Sequence, residues 1–198
     1  MIDIVFPQKN EKGFISMAER LGYSALCFIY DKPANLEPLK KTAKLKLFQA
    51  SLANTKKPQK KNPGLSVARS SHDDRFVFEK IKPDIIFDLE SHNKKDYMHH
   101  RSSGLNQVMC KIAAKNSIII TFSLSTILSL KPNVWGRVMQ NLKFCRKYSI
   151  KTAFASFARS PYQMRAPNDI KSLALLLNAT TEQAKNSLVE IEKRLENK

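Results

Sequence analysis

Along the chain, short apolar runs alternate with stretches in which apolar residues recur every three or four positions. Ile2 to Phe6 reads as a strand. Phe14, Met17, Ala18 and Leu21 follow at helical spacing, and Gly22 ends that helix. Ala25 to Tyr30 and Leu45 to Leu52 are further strands, with Pro33 and Pro38 near the start of a helix between them. Leu65 to Arg69 is a fourth strand. Ser71 is placed to cap a brief helix running to Glu79, and Asp84 to Leu89 is a strand with an apolar centre. Leu105, Val108, Met109, Ile112 and Ala113 fall on one face of an amphipathic helix. Ser117 to Phe122 shows no polar alternation, the pattern of a strand buried on both faces.

A helix from about Asn133 to Tyr148 and a strand from Lys151 to Ala155 complete this pattern. Pro167 opens a helix with Leu173, Leu176 and Leu177 on its apolar side, and Asn178 stops it. Thr180 and Gln183 form a capping box for a last helix lined by Ala184, Leu188, Ile191 and Leu195. Strands that alternate with helices predict βα units and a parallel sheet. Seven or eight such units predict an α/β fold: a compact, TIM-like βα barrel, one domain over residues 1–198. A polar, lysine-rich loop at about 54–64 interrupts it without marking a second domain.

Charge changes the picture. The chain carries 34 Lys and Arg against 17 Asp and Glu, a net charge of +17. Nine lysines and one acid, Glu37, lie between Lys32 and Lys61. Positions 97 to 168, 72 residues, hold no acid and eleven cations: Arg101, Lys111, Lys115, Lys131, Arg137, Lys143, Arg146, Lys147, Lys151, Arg159 and Arg165. This stretch includes strands and helices, so it is a folded surface rather than a tail. Such a surface repels itself unless a polyanion neutralises it, and nucleic acid is the default polyanion. Tyr97, Trp135, Phe144, Tyr148, Phe157 and Tyr162 lie among these charges. Tyr162 and Trp135, flanked by polar or basic residues, are the better candidates for stacking on bases.

Other chemistries are absent or thin. The chain has five glycines, the closest two nine apart, so it contains no Gly-rich phosphate loop. Cys27, Cys110 and Cys145 are odd in number and set in apolar surroundings, which predicts buried, reduced thiols. No apolar run is long enough to span a membrane, and Met1 to Phe6 does not resemble a signal peptide. A cytoplasmic protein with no membrane partner is expected. His72, Glu90 and His92 fall near strand ends, where a βα barrel places its active site, and form a metal-site alternative. The acid-free later half leaves a two- or three-metal hydrolase short of ligands.

The residues also resemble a known family. The strongest match is Ser156-Phe157-Ala158-Arg159-Ser160-Pro161-Tyr162-Gln163-Met164-Arg165-Ala166-Pro167-Asn168-Asp169-Ile170. Gly104-Leu105-Asn106-Gln107, Ala113-Ala114-Lys115-Asn116 and the Ile118 to Ile120 strand resemble the same family's central block. Arg69 before a short helix and Asp84-Ile85-Ile86 fit its earlier block. On these residues the chain resembles archaeal ribonuclease P protein component 3, a family that includes the eukaryotic thirty-kilodalton subunit. The likeness runs from about Arg69 to Leu188. One departure is Asn178, where the family pattern has Gly after the leucine run.

The resemblance implies a barrel related to the PHP phosphoesterases, whose first strand carries a His-x-His pair. Here Ile2-Asp3-Ile4-Val5-Phe6-Pro7 holds no histidine, in keeping with a family regarded as having lost its metal site. It implies an accessory, RNA-binding subunit of ribonuclease P, the endonuclease that removes the 5′ leader of precursor tRNA with RNA as catalyst. The isolated chain is then non-catalytic and binds no cofactor, magnesium belonging to the RNA. Implied partners are that catalytic RNA and protein component 2, two copies of each protein forming a heterotetramer. Precursor tRNA is met indirectly. Expected phosphate contacts are Arg69, Arg75, Arg101, Arg137, Lys143, Arg159 and Arg165, since guanidinium groups grip phosphate with paired hydrogen bonds. The alternatives are a PHP-type metal-dependent phosphoesterase and a general basic RNA-binding assembly protein.

Overall fold

The structure is a computed structural model and describes residues 1–57, 64–92, 95–129 and 132–196. Most of the lysine-rich loop expected at 54–64, and Lys131, lie outside the described residues. Seven strands form one parallel sheet in sequential order: β1 Ile2–Val5, β2 Ala25–Tyr30, β3 Lys46–Leu52, β4 Leu65–Arg69, β5 Ile85–Phe87, β6 Ile119–Ser123 and β7 Thr152–Ala155. The helices between and after them are α1 Glu11–Arg20, α2 Glu37–Lys40, α3 Asp74–Phe76, α4 Gln107–Lys115, α5 Leu124–Ile127, α6 Pro132–Lys147, α7 Pro167–Leu176, α8 Thr181–Asn186 and α9 Glu190–Glu196.

The sheet closes on itself just beyond β7. Phe6 donates its N–H to the Ala158 carbonyl at 2.8 Å, and Phe157 donates to the Ile4 carbonyl at 2.8 Å. The buried Asp3 carboxylate reinforces the seam, because its Oδ1 accepts the N–H of Ser156 at 2.7 Å and that of Ile4 at 2.8 Å. The fold is therefore a seven-stranded, nearly closed, TIM-like barrel, as the βα alternation predicts.

Strand side chains alternate between two apolar layers. Ile4, Cys27, Ala50, Val67, Phe87, Ile119 and Ala153 fill the barrel interior. Val5, Phe28, Leu47, Ala68, Ile86, Ile120, Phe122 and Phe154 face the surrounding helices. Burial on both faces explains why the strands read as continuous apolar runs. Cys27, Cys110 and Cys145 are buried free thiols, and burial pushes Cys27 up to about 12 and Cys110 to about 11.

Local chemistry departs from the sequence reading in three places. The cap of α3 is Asp73, whose carboxylate accepts the Phe76 N–H at 3.0 Å. Ser71 instead donates its N–H to Asp74 at 2.7 Å. Val108 and Leu176, assigned to apolar helix faces, are exposed. Asn178 does take the left-handed conformation at the end of α7, with φ 64°. The third departure is the last helix, which is two: α8 carries the Thr180–Gln183 capping box, and the chain turns before α9.

That turn has a structural purpose. It sends Ile191 and Leu195 into the barrel from the end where the strands begin, while Ala184 and Leu188 stay in the outer layer. Polar pairs fasten α9 around the same rim. Arg194 pairs with Asp84 before β5 at 3.0 Å, Lys151 before β7 with Glu190 at 3.0 Å, and Lys46 on β3 with Glu196 at 3.7 Å. Helix α9 is thus a plug in the floor of the barrel. Ile191→Ala is expected to lower unfolding stability by about 2–4 kcal/mol, the usual effect of emptying a buried aliphatic position. Equilibrium urea unfolding checks it, and a loss below about 0.5 kcal/mol contradicts the plug.

Candidate nucleic-acid interface

The active site of a βα barrel lies at its mouth, where the strands end. Here aromatic rings fill the mouth. Phe87 and Phe157 stack with centroids 4.0 Å apart, and Phe6 leans on both at about 6 Å. Phe157 belongs to this seal and not to any nucleic-acid surface. Beside it Asp88, held at φ 63°, accepts from Arg69 Nε at 2.8 Å and from the Thr126 hydroxyl at 2.6 Å.

The metal-site alternative fares poorly in this setting. His72 and His92 do meet, edge to face with centroids 6.1 Å apart. Glu90 is buried at 1% exposure and does not join them. Among the described residues no three His, Cys, Asp or Glu form a group suited to a metal ion. The residues present do not fit the ligand set of a PHP-type centre.

The outer surface is built differently. All 17 acids lie among the described residues, and five of them, Asp3, Asp84, Asp88, Glu90 and Glu190, are buried. Of the described Lys and Arg residues, Arg137 is the one that is buried. The fold therefore removes five of the seventeen acids from the surface while leaving the described cations other than Arg137 at least partly accessible. Sequential strand order converts the acid-free stretch 97–168 into a contiguous sector of barrel wall, running from α4 through β6, α5 and α6 to β7.

Six of the seven expected phosphate contacts are exposed: Arg69, Arg75, Arg101, Lys143, Arg159 and Arg165. Five of these lie in segments that leave the C-terminal ends of strands, so the parallel topology gathers them on the mouth side of the barrel. Lys143 stands further down α6. Some are held. Arg75 pairs with Glu79 at 2.8 Å, and Arg165 Nη1 donates to the carbonyls of Tyr162 and Met164. The exposed Arg75–Glu79 ion pair is worth little to the fold and leaves Arg75 able to turn to a phosphate.

Arg137 requires correction. It is 2% exposed, pairs with Asp96 at 2.7 Å and donates to the Glu90 carbonyl at 3.0 Å. Its guanidinium is engaged inside the fold, where phosphate does not reach. Its work is to anchor the loop before α4. Asp96 also accepts the Ser102 N–H at 2.8 Å. Burial works against the ionised form of Asp96, but these hydrogen bonds and the Arg137 charge outweigh it and hold the carboxyl below its usual range. Gln140 and Asn141 of α6 bind the loop at Arg101 and Ser103. Gly104, at φ 81°, abuts Leu89 so closely that a Cβ would collide with the Leu89 carbonyl oxygen. The one sequence signal for this anchor was position: Asp96 is the last acid before the acid-free stretch.

The aromatics sort themselves by burial. The Trp135 indole N–H donates to the Ile127 carbonyl at 3.0 Å, and its ring packs on the core. Tyr162 is 82% exposed at the mouth side, and Tyr97 is 65% exposed on the anchored loop.

The chain is thus a basic, TIM-like α/β barrel with an aromatic-filled mouth, five buried acids and an acid-free outer sector. Comparison with known proteins makes this specific. The family model described as RNase P subunit p30 matches residues 75–198, more than half of the chain. The chain belongs to the RNase P subunit p30 family and is a protein subunit of the tRNA-processing enzyme ribonuclease P. Among relatives, ribonuclease P protein component 3 of Methanothermobacter thermautotrophicus is 25% identical over 86% of this chain and 77% of its own length. The protein of that name from Methanosarcina mazei is 27% identical over 91% of this chain and 80% of its own. A chain in a cryo-EM structure of archaeal ribonuclease P with mature tRNA has the same fold, with TM-score 0.74 at 18% identity, covering 98% of this chain and 89% of that one. The family match extends past Leu188, where the sequence resemblance stops, and takes in the floor plug.

Two expected outcomes follow from the buried groups. Burial, helped by the nearby Asp88 charge, lifts the Glu90 carboxyl to about 8. The folded protein then holds a proton that the unfolded chain has released above the ordinary Glu value of about 4.3. Stability from this group is complete below that value and declines as pH rises toward 8, at up to about 1.4 kcal/mol per pH unit. Glu90→Gln, which imitates the protonated form, is expected to flatten the decline between pH 6 and 8 in chemical denaturation. Parallel profiles for the two proteins contradict it. Arg137→Ala, which strands the buried loop anchor, is expected to destabilise by about 3 kcal/mol. The exposed Arg159→Ala stays within about 0.5 kcal/mol in the same measurement.

Proposed function

We propose that this chain acts as an accessory, RNA-binding subunit of ribonuclease P, in which the RNA carries out endonucleolytic removal of the 5′ leader of precursor tRNA. The observation that carries this reading is the acid-free sector 97–168, together with the burial of five of the seventeen acids and the exposure of Arg69, Arg75, Arg101, Arg159 and Arg165 on the mouth side. Packing RNA helices together brings phosphates close, and a rigid array of cations offsets their repulsion. The catalytic domain of the RNA then folds at lower magnesium. The chain contributes no catalytic group and binds no cofactor, and magnesium acts with the RNA.

Its partners on this reading are the catalytic RNA of ribonuclease P and protein component 2, in a heterotetramer with two copies of each protein. Precursor tRNA is reached through the RNA. The site of action is the cytoplasm. No described helix is long and apolar enough to cross a membrane.

The test is cleavage of precursor tRNA by the cognate RNA at limiting magnesium, with component 2 present and this chain added or withheld. Cleavage is expected only when the chain is added, and the proteins without RNA are expected to be inactive. No stimulation by well-folded protein overturns the proposal, and equal affinity for unrelated structured RNAs favours a general assembly role. In the same system Arg159→Ala is expected to weaken RNA binding and to reduce the slope of log affinity against log salt by about one. An unchanged slope removes Arg159 from the interface.

A further inference from the structure

The loop that Arg137 and Asp96 anchor carries an exposed aromatic pair. Tyr97 is 65% exposed and Met98, beside it, 93%. The Tyr97 ring stacks on His100 with centroids 4.6 Å apart and planes 21° apart, across a turn closed by the Tyr97 N–H on the His100 carbonyl at 3.0 Å. Neither ring contributes to the core. An exposed aromatic pair on a mobile tip is unremarkable, but this tip is pinned to α6 and to the Leu89 turn at several points. Its geometry is set before anything binds.

His100 and Arg101 also form one wall of a groove of about 570 Å³ between this loop, α4 and α6. Gln107 of α4 and Phe144, Lys147 and Tyr148 at the end of α6 complete it. The Arg101 guanidinium lies against Gly136 of α6, where a Cβ would come within 2.6 Å of its Nε, so the glycine makes room for this cation. The Lys147 ammonium stands 5.7 Å from the Tyr148 ring centroid. Among the described residues no carboxylate lines the groove. Asp96, the acid at the base of the loop, is occupied by Arg137 and Ser102.

Cations that bind a phosphate, set beside aromatic faces that accept a base, are the elements of single-strand recognition. We propose that this loop and groove bind one unpaired nucleotide of RNA. Its phosphate lies on Arg101, with Lys147 adding positive charge further along the groove, and its base stacks on the Tyr97–His100 pair. This inference rests on the RNA-binding reading above and adds to it a contact that is not electrostatic. The stacking face makes the protein respond to an unpaired base, whereas the exposed arginines respond to any backbone.

The test uses the full chain and the catalytic RNA with 2-aminopurine placed in turn at unpaired positions, together with Tyr97→Ala, Tyr97→Trp and Arg101→Ala. Stacking on the pair is expected to quench 2-aminopurine at one position. Tyr97→Ala is expected to abolish that quench and weaken binding about tenfold, with the salt slope unchanged. Tyr97→Trp is expected to restore both quench and affinity, and Arg101→Ala to lower the slope by about one. Tyr97 is exposed, so its variants are expected to keep the parent melting temperature. Binding by Tyr97→Ala within twofold of the parent, with the quench intact, overturns the stacking site and leaves the RNA-binding reading standing. No binding by the unaltered chain overturns both.

Discussion

The structure depends on how a sheet of seven parallel strands closes. β1 and β7 do not run as a regular ladder. They meet through the pair Val5 and Ala158, the bonds of Phe6 and Phe157, and the Asp3 carboxylate. Asp3 takes two backbone N–H groups that face no strand carbonyl at this seam. Burial dominates its environment and raises its pKa to about 6, so the seam uses an ionisable side chain as the acceptor in place of a backbone carbonyl. Beyond the seam Phe157 adopts φ 47°, and that turn lays its ring beneath Phe87. The sealed mouth is thus a consequence of closure. The plugged floor follows from the same geometry, because a closed interior of small residues such as Ala25, Ala50 and Ala153 leaves room that Ile191 fills.

Closure also shapes the electrostatics. A charged surface this basic strains the folded state through self-repulsion. Part of the asymmetry arises because the acids have structural duties inside: Asp3 at the seam, Asp84 and Glu190 at the floor, Asp88 at the mouth. Each duty removes a negative group from the surface. The exposed cations have few acids to pair with in the sector from α4 to β7, and they are left to an external polyanion. Fold stability and surface charge are in this sense one arrangement.

Much of this was legible in the sequence. Apolar runs marked all seven strands, because a parallel barrel buries both faces of each strand and leaves no alternation to misread. The absence of acids from 97 to 168 marked the basic sector, because sequential strand order preserves neighbourhood. What was hidden needed partners distant in sequence. Arg137 looks like any other cation of α6 until Asp96, 41 positions earlier, is seen beneath it. Phe157 sits among basic residues in the sequence and among phenylalanines in space. The break between α8 and α9 was invisible because Ala184, Leu188, Ile191 and Leu195 keep helical spacing across it. Only the two layers they enter tell them apart.

The mouth and the anchored loop bear on each other. In a catalytic barrel the loops above the strands hold reacting groups and commonly move to admit substrate. Here Phe6, Phe87 and Phe157 occupy that space, and the loop from Asp96 to Gly104 is fixed sideways onto α6. Fixing a loop in advance removes an entropic penalty from binding, which matters most for a contact as small as one stacked base. A mobile Tyr97 would lose much of its stacking energy to its own ordering. Held by a buried arginine, it is already in place for the proposed stacking. Arg137, withdrawn from the phosphates, acts on the interface by fixing the geometry of residues that remain outside.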